Sequence, residues 1–287
     1  MKMNAMRKNL FRTIKSSLGR YLAIVFIIAL GAAIFVGLLA TKGDMVYTGQ
    51  KYLEKQNMFD LRLISTYGWT QTEVDAVAKM PGVTGAEGAI SIDAIARIGE
   101  SDADTVYKLH SMPDSISLPY LLGGRMPKST DECLIDGYGA SDRILGTTVT
   151  VTDTNASGTL DSLNERTFTV VGYVSSPLYM DSSRGGTTIG NGTVSGYLYL
   201  MPEAFNMDYY TEIAVTVQGD HTIYSEAFNE LLVEMADELK GGVTVLAHDR
   251  FVSLKADAER EYADGWKEYQ DGLAEYEKGR EEALSEL

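Results

Sequence analysis

Cysteine occurs once in these 287 residues, at position 133, so no disulfide within the chain can hold it together. Its stability must come from an ordinary apolar core. Histidine occurs three times, at 110, 221 and 248, with no H-E-x-x-H pattern and no close ligand pair. Neither G-x-S-x-G nor S-x-x-K is there to activate a serine. Asp102-Ala-Asp104 is too short for a calcium loop, whose ligands spread over about twelve residues. Cys133 has no histidine partner in its sequence neighbourhood and reads as a small apolar packing residue. A G-x-x-x-x-G-K-[ST] loop to cradle nucleotide phosphates is also missing. The expectation is a protein that is not an enzyme, with no catalytic residues, no cofactor and no metal site.

Acidic residues are missing from the first 43 positions, while the remaining residues, 44–287, carry 40 of them against 18 Lys and Arg. So acidic a region is a poor match for nucleic acid or anionic lipid; its acidity is expected to serve solubility, ahead of attraction for cationic ligands. The basic start, Lys2, Arg7, Lys8, Arg12, Lys15 and Arg20, leads into an uncharged run over 21–40. Twenty helical residues rise about 30 Å, the thickness of a bilayer's hydrocarbon core. A cleaved secretory leader shares the basic start, but its apolar part is normally about 7–15 residues long. Leu38-Leu39-Ala40 also lacks the small residue wanted at the first position of A-x-A. The run therefore reads as an uncleaved transmembrane helix in the cell membrane, over 21–41. The excess of basic residues before it places the N-terminus in the cytoplasm and the bulk of the chain outside.

Ala29, Ala33 and Gly37 recur every fourth residue along the run, a small-residue ridge that lets a second membrane helix approach. Ahead of it, Met6, Leu10, Ile14 and Leu18 are spaced by four, with Arg7, Lys8, Arg12 and Lys15 mostly on other faces. Residues 1–20 thus form a basic amphipathic helix suited to membrane lipid, with Arg20 at the same surface.

Residues 44–247 read as an α+β core domain. Residues 59–65 alternate apolar and polar, as a half-buried strand does, and Thr70-Gln-Thr-Glu73 is a capping box opening a short helix. Strand material follows at 83–98 and 133–135. Runs at 147–152 and 167–174 are rich in β-branched residues and flank a polar loop, as in a hairpin with a long connection. Further strands are expected at 195–201 and 212–217, with a helical turn at 202–207. A helix over 224–239 is expected to stop at Gly241-Gly242, before a last strand at 243–246.

From Asp257 the chain repeats every seven residues. Trp266, Tyr269, Leu273 and Tyr276 are three and four apart, which is the seam of a coiled coil. Glycines at 265, 272 and 279 each cost nearly 1 kcal/mol in a lone helix, and make sense beside a close partner helix. Residues 249–287 are therefore expected to be a long C-terminal coiled-coil-type helix that ends before its partner.

Three stretches carry a family resemblance. Residues 12–31, from Arg12-Thr-Ile-Lys to Ala29-Leu-Gly31, are similar to the entry into the first membrane helix of MacB/FtsX-like ABC transporter permeases. Asp60-Leu-Arg-Leu-Ile-Ser65 with Gly82-Val83 resembles the start of the MacB-like periplasmic core domain. Gly124-Arg-Met-Pro127, Glu132-Cys-Leu-Ile135, Leu145-Gly146 and Phe168-Thr-Val-Val-Gly-Tyr173 resemble that domain's G-R-x-P, acidic-plus-strand, Leu-Gly and F-x-V-x-G sequence. The tail resembles the coiled-coil insertion of such permeases in Gram-positive bacteria. These permeases have four membrane helices or more, whereas only one apolar run of 18 residues is found here, so the chain resembles the N-terminal part of one. The resemblance implies a non-ATPase subunit that couples ATP hydrolysis by a cytosolic ABC-type ATPase to substrate export or mechanical work outside the membrane. It also implies packing against remaining permease helices or a second permease subunit. The rival expectation is a membrane-anchored extracellular binding or adhesion module with a coiled-coil stalk.

Overall fold

The computed structural model describes residues 5–101, 103–219, 222–223 and 225–285, and it divides into two units, Met1–Glu54 and Lys55–Leu287. Lys2, Asp102, His221 and Tyr224 lie outside the described residues, as do the side chains of Met6 and Leu284.

The first unit is helical. Helix α1 (Ala5–Ser16) is followed directly by α2 (Leu18–Lys55). At 1.5 Å per residue the 38 residues of α2 extend about 57 Å, so the helix continues well past the apolar run. Every residue from 21 to 40 is exposed. The helix is long and apolar enough to cross a membrane.

The second unit has two lobes. Strand β1 (Leu61–Trp69), helix α3 (Gln71–Val77) and strand β2 (Val83–Ala89) begin the first. Thr70 caps α3: the Glu73 carboxylate accepts the Thr70 backbone N–H at 2.6 Å, and the Thr70 hydroxyl also bonds it. The chain then crosses to the second lobe for β3 (Ser91–Ile98), β4 (Thr105–Ser111), β5 (Tyr120–Gly124), β6 (Glu132–Asp136) and β7 (Thr148–Val151). The short helix α4 (Ser157–Asp161), β8 (Thr167–Ser175) and β9 (Val194–Leu200) complete it. A 3-10 turn at Pro202–Ala204 returns the chain to the first lobe for β10 (Tyr210–Val217). Helix α5 (Glu226–Ser285) follows.

In the first lobe β10 lies between β1 and β2, all antiparallel, with Leu63, Ile213 and Gly88 in one row and Leu61, Val215 and Ala86 in the next. Helices α3 and α5 cover one face, where Trp69, Val74, Val77, Ile213, Val215, Met235 and Leu239 are buried together. The indole N–H of Trp69 donates to the Leu63 carbonyl at 3.2 Å, which satisfies its one polar atom.

In the second lobe the pairings β8–β6, β6–β9, β9–β4, β4–β3, β3–β7 and β7–β8 close a ring of six strands, and β5 pairs with the part of β8 that β7 leaves. Closure removes sheet edges. Alternate residues point inward, so Ala94, Leu109, Cys133, Ile135, Val149, Phe168, Val170, Leu198 and Leu200 fill the interior. Burial pushes the Cys133 thiol up to about 12, which keeps it protonated, in keeping with a packing role.

A loop between β4 and β5 ties the lobes. Glu87 of β2 accepts backbone N–H bonds from Asp114, Ser115 and Ile116 at 2.6, 2.9 and 2.8 Å. Ser117 N–H donates to the Asn57 carbonyl at 2.8 Å, and both residues hold positive φ, 62° and 48°. A serine there is uncommon and is kept by the bonds around it.

One expectation fails in the fold. Residues 243–246 are helical, and Gly241-Gly242 does not end α5. The local preference of Val243 and Val245 for a strand is overruled because Met235, Leu239, Val243, Leu246 and Ala247 continue a helical stripe that covers the sheet. Gly242 faces the Met80 side chain, which approaches where a Cβ would stand. Helix α5 therefore runs unbroken through the boundary drawn at 247–249. Strands β4 and β5 and helix α4 are additions that the sequence pattern did not announce.

Candidate functional site

Arg7, Lys8, Arg12, Lys15 and Arg20 lie on α1 and the start of α2, and all five are exposed. Ala29, Ala33 and Gly37 share one face of α2, with open space around Gly37. On α5, the stripe that packs on the sheet fades at Leu254, and residues 255–280 are exposed throughout. The projecting portion, 255–285, measures about 46 Å at helical rise. Trp266, Tyr269, Leu273 and Tyr276 lie along it with Tyr262, and the Trp266 and Tyr269 rings stack with centroids 5.6 Å apart. Among the described residues, and apart from the helix's own backbone, nothing stands within 4 Å of where a Cβ would lie at Gly265, Gly272 or Gly279. The long helix is present; among the described residues no partner helix covers the seam.

The motif residues converge on β8. Gly124 pairs with Gly172, the Arg125 N–H donates to the Val171 carbonyl at 2.9 Å, and the Gly146 N–H donates to the Val170 carbonyl at 2.8 Å. Gly124 holds φ +79°, and a Cβ there would press into the β8 backbone at Val171 and Gly172. That explains a glycine at this point. Arg125 forms an ion pair with Glu132, and its fork holds the Glu132 carboxyl well below the usual range, at about 2. The four scattered pieces of sequence are thus one structural clasp around a strand.

On the outer surface of β6 and β9 lies a polar and aromatic layer that the sequence did not reveal. The Arg184 guanidinium, 9% exposed, meets Asp136 at 2.5 and 3.0 Å and also donates to the Asp181 carbonyl. This pairing holds the Arg184 guanidinium charged even more firmly than usual. Three tyrosine rings surround that cation: Tyr138, Tyr179 and Tyr197, with centroids 5.2, 5.7 and 5.6 Å away. Tyr179 and Tyr197 stack at 4.4 Å, and Tyr179 Oη lies 2.7 Å from His110 Nε2, whose ring stacks on Tyr199. Burial, with the charges of Lys108 and Arg62 nearby, pushes His110 down to about 3, so it is neutral at ordinary pH. Burial likewise raises the Tyr179 and Tyr197 hydroxyls. A neutral, bonded histidine and the stacked tyrosine rings form a packing layer; no cluster of three His, Cys, Asp or Glu among the described residues is placed to hold a metal ion.

Above the layer opens a groove of about 330 Å³, lined among others by Leu122, Tyr138, Met180, Asp181 and Ser182, with Arg184 and Tyr197 at its base. Its members come from β5, the ends of β6 and β8, the turn after β6, the loop between β8 and β9, and β9 itself.

No protein-family model matches the chain, and no curated protein matches it. Among solved structures it is similar to the extracellular domain of the noncanonic ABC-type transporter YknZ from Gram-positive bacteria, at 14% identity. That match covers 60% of this chain and 87% of the other, with a TM-score of 0.34. It is also similar to the periplasmic region of MacB from Actinobacillus actinomycetemcomitans, at 15% identity over 62% of this chain and 76% of the other, with a TM-score of 0.33.

Proposed function

We propose that this chain supplies the first membrane helix and the extracytoplasmic domain of a MacB/FtsX-like ABC transporter permease subunit, working with a separate ATPase in the cytosol. One observation carries the reading: an uncharged helical stretch over 21–40, exposed along its whole length, stands between a purely basic N-terminal segment and a strongly acidic α+β unit. Exposing some twenty apolar side chains to water is untenable, at about 1.5–3 kcal/mol for each large one, whereas lipid removes that cost. The convergence of the motif residues on β8 supports the same reading.

In this proposal Arg7, Lys8, Arg12, Lys15 and Arg20 meet lipid headgroups, and Ala29, Ala33 and Gly37 pack against further permease helices or a second permease subunit. Trp266, Tyr269, Leu273 and Tyr276 pair with a partner helix in a coiled coil. ATP hydrolysis by the partner moves the extracytoplasmic unit, for export or for mechanical work. Two measurements test it. Protease added to intact cells should remove the chain beyond residue 55 and spare its N-terminus; protection of the acidic unit overturns the orientation. An ATP-hydrolysing subunit should co-purify with the full chain and be lost when residues 1–20 are deleted. An ATPase-free homodimer held by 266–276 points instead to an adhesion or binding module with a stalk.

A further inference from the structure

The groove above the tyrosine layer has features that packing alone does not require. Tyr138 is 72% exposed, yet one side of its ring faces the Arg184 guanidinium at 5.2 Å. That guanidinium is itself fixed by Asp136, and Asp136 accepts the Tyr138 backbone N–H at 2.9 Å. Burying such an ion pair carries a desolvation penalty of several kcal/mol per ion, and such pairs are weak sources of stability. What this one does is set a guanidinium against one face of the Tyr138 ring while its carboxylate accepts the Tyr138 backbone N–H. Exposed tyrosines with one face already in contact serve as anchors in interfaces, because a large ring with two χ angles brings contact area at little cost in side-chain freedom. Across the groove from this ring chemistry stand Leu122 and Met180, both about half exposed, and methionine adapts its shape to what it meets. Leu122, Met180 and Tyr138 thus put three exposed apolar side chains around one concave opening on an otherwise acidic domain. A volume of about 330 Å³ lies at the lower end of ligand clefts, enough for one or two side chains.

Charge decides what enters. The Arg184 charge is already matched by Asp136, which leaves exposed Asp181 as the net charge of the rim. Around it, residues 44–287 carry 40 acidic and 18 basic side chains, so anionic segments are repelled on approach and cationic ones are drawn in. We infer that this groove, between Leu122, Tyr138, Met180 and Asp181, is a docking site for an extended peptide segment of a partner that carries an aliphatic or aromatic side chain next to Arg or Lys. The apolar side chain fills the space between Tyr138, Leu122 and Met180, and the cation pairs with Asp181 on the rim. The inference goes beyond the transporter reading and does not depend on it.

The test uses the full chain in nanodiscs of zwitterionic lipid, at roughly physiological ionic strength. Fluorescent peptides of alternating Leu and Arg, Leu and Gln, or Leu and Glu are titrated by anisotropy. Binding of the Leu-Arg peptide alone is expected, weakened about tenfold by Tyr138→Ser and by Leu122→Ser. Asp181→Asn should weaken it roughly threefold and flatten its salt dependence. Glu268→Gln and Asp271→Asn, exposed on α5, should leave it unchanged, and unaltered far-UV dichroism confirms that each variant is folded. Leu122→Ser keeps the test decisive if Tyr138→Ser disturbs Arg184. Equal binding by wild type and both groove variants would overturn the proposal in favour of diffuse charge attraction. So would equal binding of all three peptides, no binding at all, or a dimer of the chain that the groove variants dissolve.

Discussion

The two tryptophans of this chain have the same chemistry and opposite surroundings. Trp69 is 1% exposed, closed in by α3, α5 and the three-stranded sheet, and its indole N–H is bonded. Trp266 is 55% exposed on the projecting part of α5, stacked on Tyr269. Both belong to helical or strand stripes of large apolar side chains. Up to Leu254 the α5 stripe is spent on the sheet; from Tyr262 to Tyr276 an equally regular stripe covers nothing among the described residues. The difference separates two uses of one pattern. A stripe met by the chain's own sheet makes a core, and a stripe left open makes an offer to another helix, with about 1.5–3 kcal/mol at stake for each large side chain.

Truncating the two rings should expose that difference most strongly. Trp69→Ala is expected to destabilise the domain by about 3–5 kcal/mol, read as a lower urea midpoint followed by far-UV dichroism. Trp266→Ala should leave that midpoint within about 0.5 kcal/mol in the isolated chain. Equal effects would mean that the outer stripe already has a partner. Next in size, Asp136→Asn strands the Arg184 charge in a buried place and should cost about 3 kcal/mol. Arg62→Ala, whose partner Glu212 lies 3.4 Å away and whose own side chain is half exposed, should cost under about 1 kcal/mol.

A third prediction concerns acid. His110 is held neutral in the fold down to about 3, while an unfolded chain protonates it near 6.5. Between those values the unfolded state binds more protons, so stability falls as the pH drops through that window. His110→Gln should make the urea midpoint less sensitive between pH ~7 and ~4 than in the wild type. A variant that keeps the wild-type slope would show that other groups carry the acid sensitivity.

The sequence already contained the features that depend on neighbours along the chain. A run of 20 uncharged residues, a Thr70-to-Glu73 cap, the antiparallel pairing of β7 with β8 and the seam from Trp266 to Tyr276 each need only a short window to be read. The tyrosine layer needs the closed ring of strands. Arg184 is 48 residues from Asp136, and Tyr179 is 69 from His110, so no spacing rule joins them before β6, β9 and β4 are brought side by side. Strand β5, Tyr-Leu-Leu-Gly-Gly, lacks alternation and owes its place to β8. Residues 243–246 show the opposite case: their β-branched side chains favour a strand locally, and the sheet's demand for a cover outweighs them.

The glycines of α5 give the smallest effect and the sharpest division between the two stripes. Gly242 lies where the Met80 side chain comes close, so Gly242→Ala gains helix propensity but must push aside a flexible thioether. A net change near zero is expected there. Among the described residues, a Cβ at Gly265, Gly272 or Gly279 would meet nothing within 4 Å beyond the helix's own backbone. In a helix that stands alone, each replacement by alanine should stabilise by about 1 kcal/mol, since alanine loses less backbone freedom and shields the backbone from water. The combined variant should raise the melting of the projecting segment, followed by hydrogen exchange along 255–280. If these glycines instead admit a close partner helix, the same three methyl groups keep that helix away, and association falls while the lone helix gains. Loss of stability in the isolated chain would contradict an open stripe, because only a surface already in contact is harmed by added bulk.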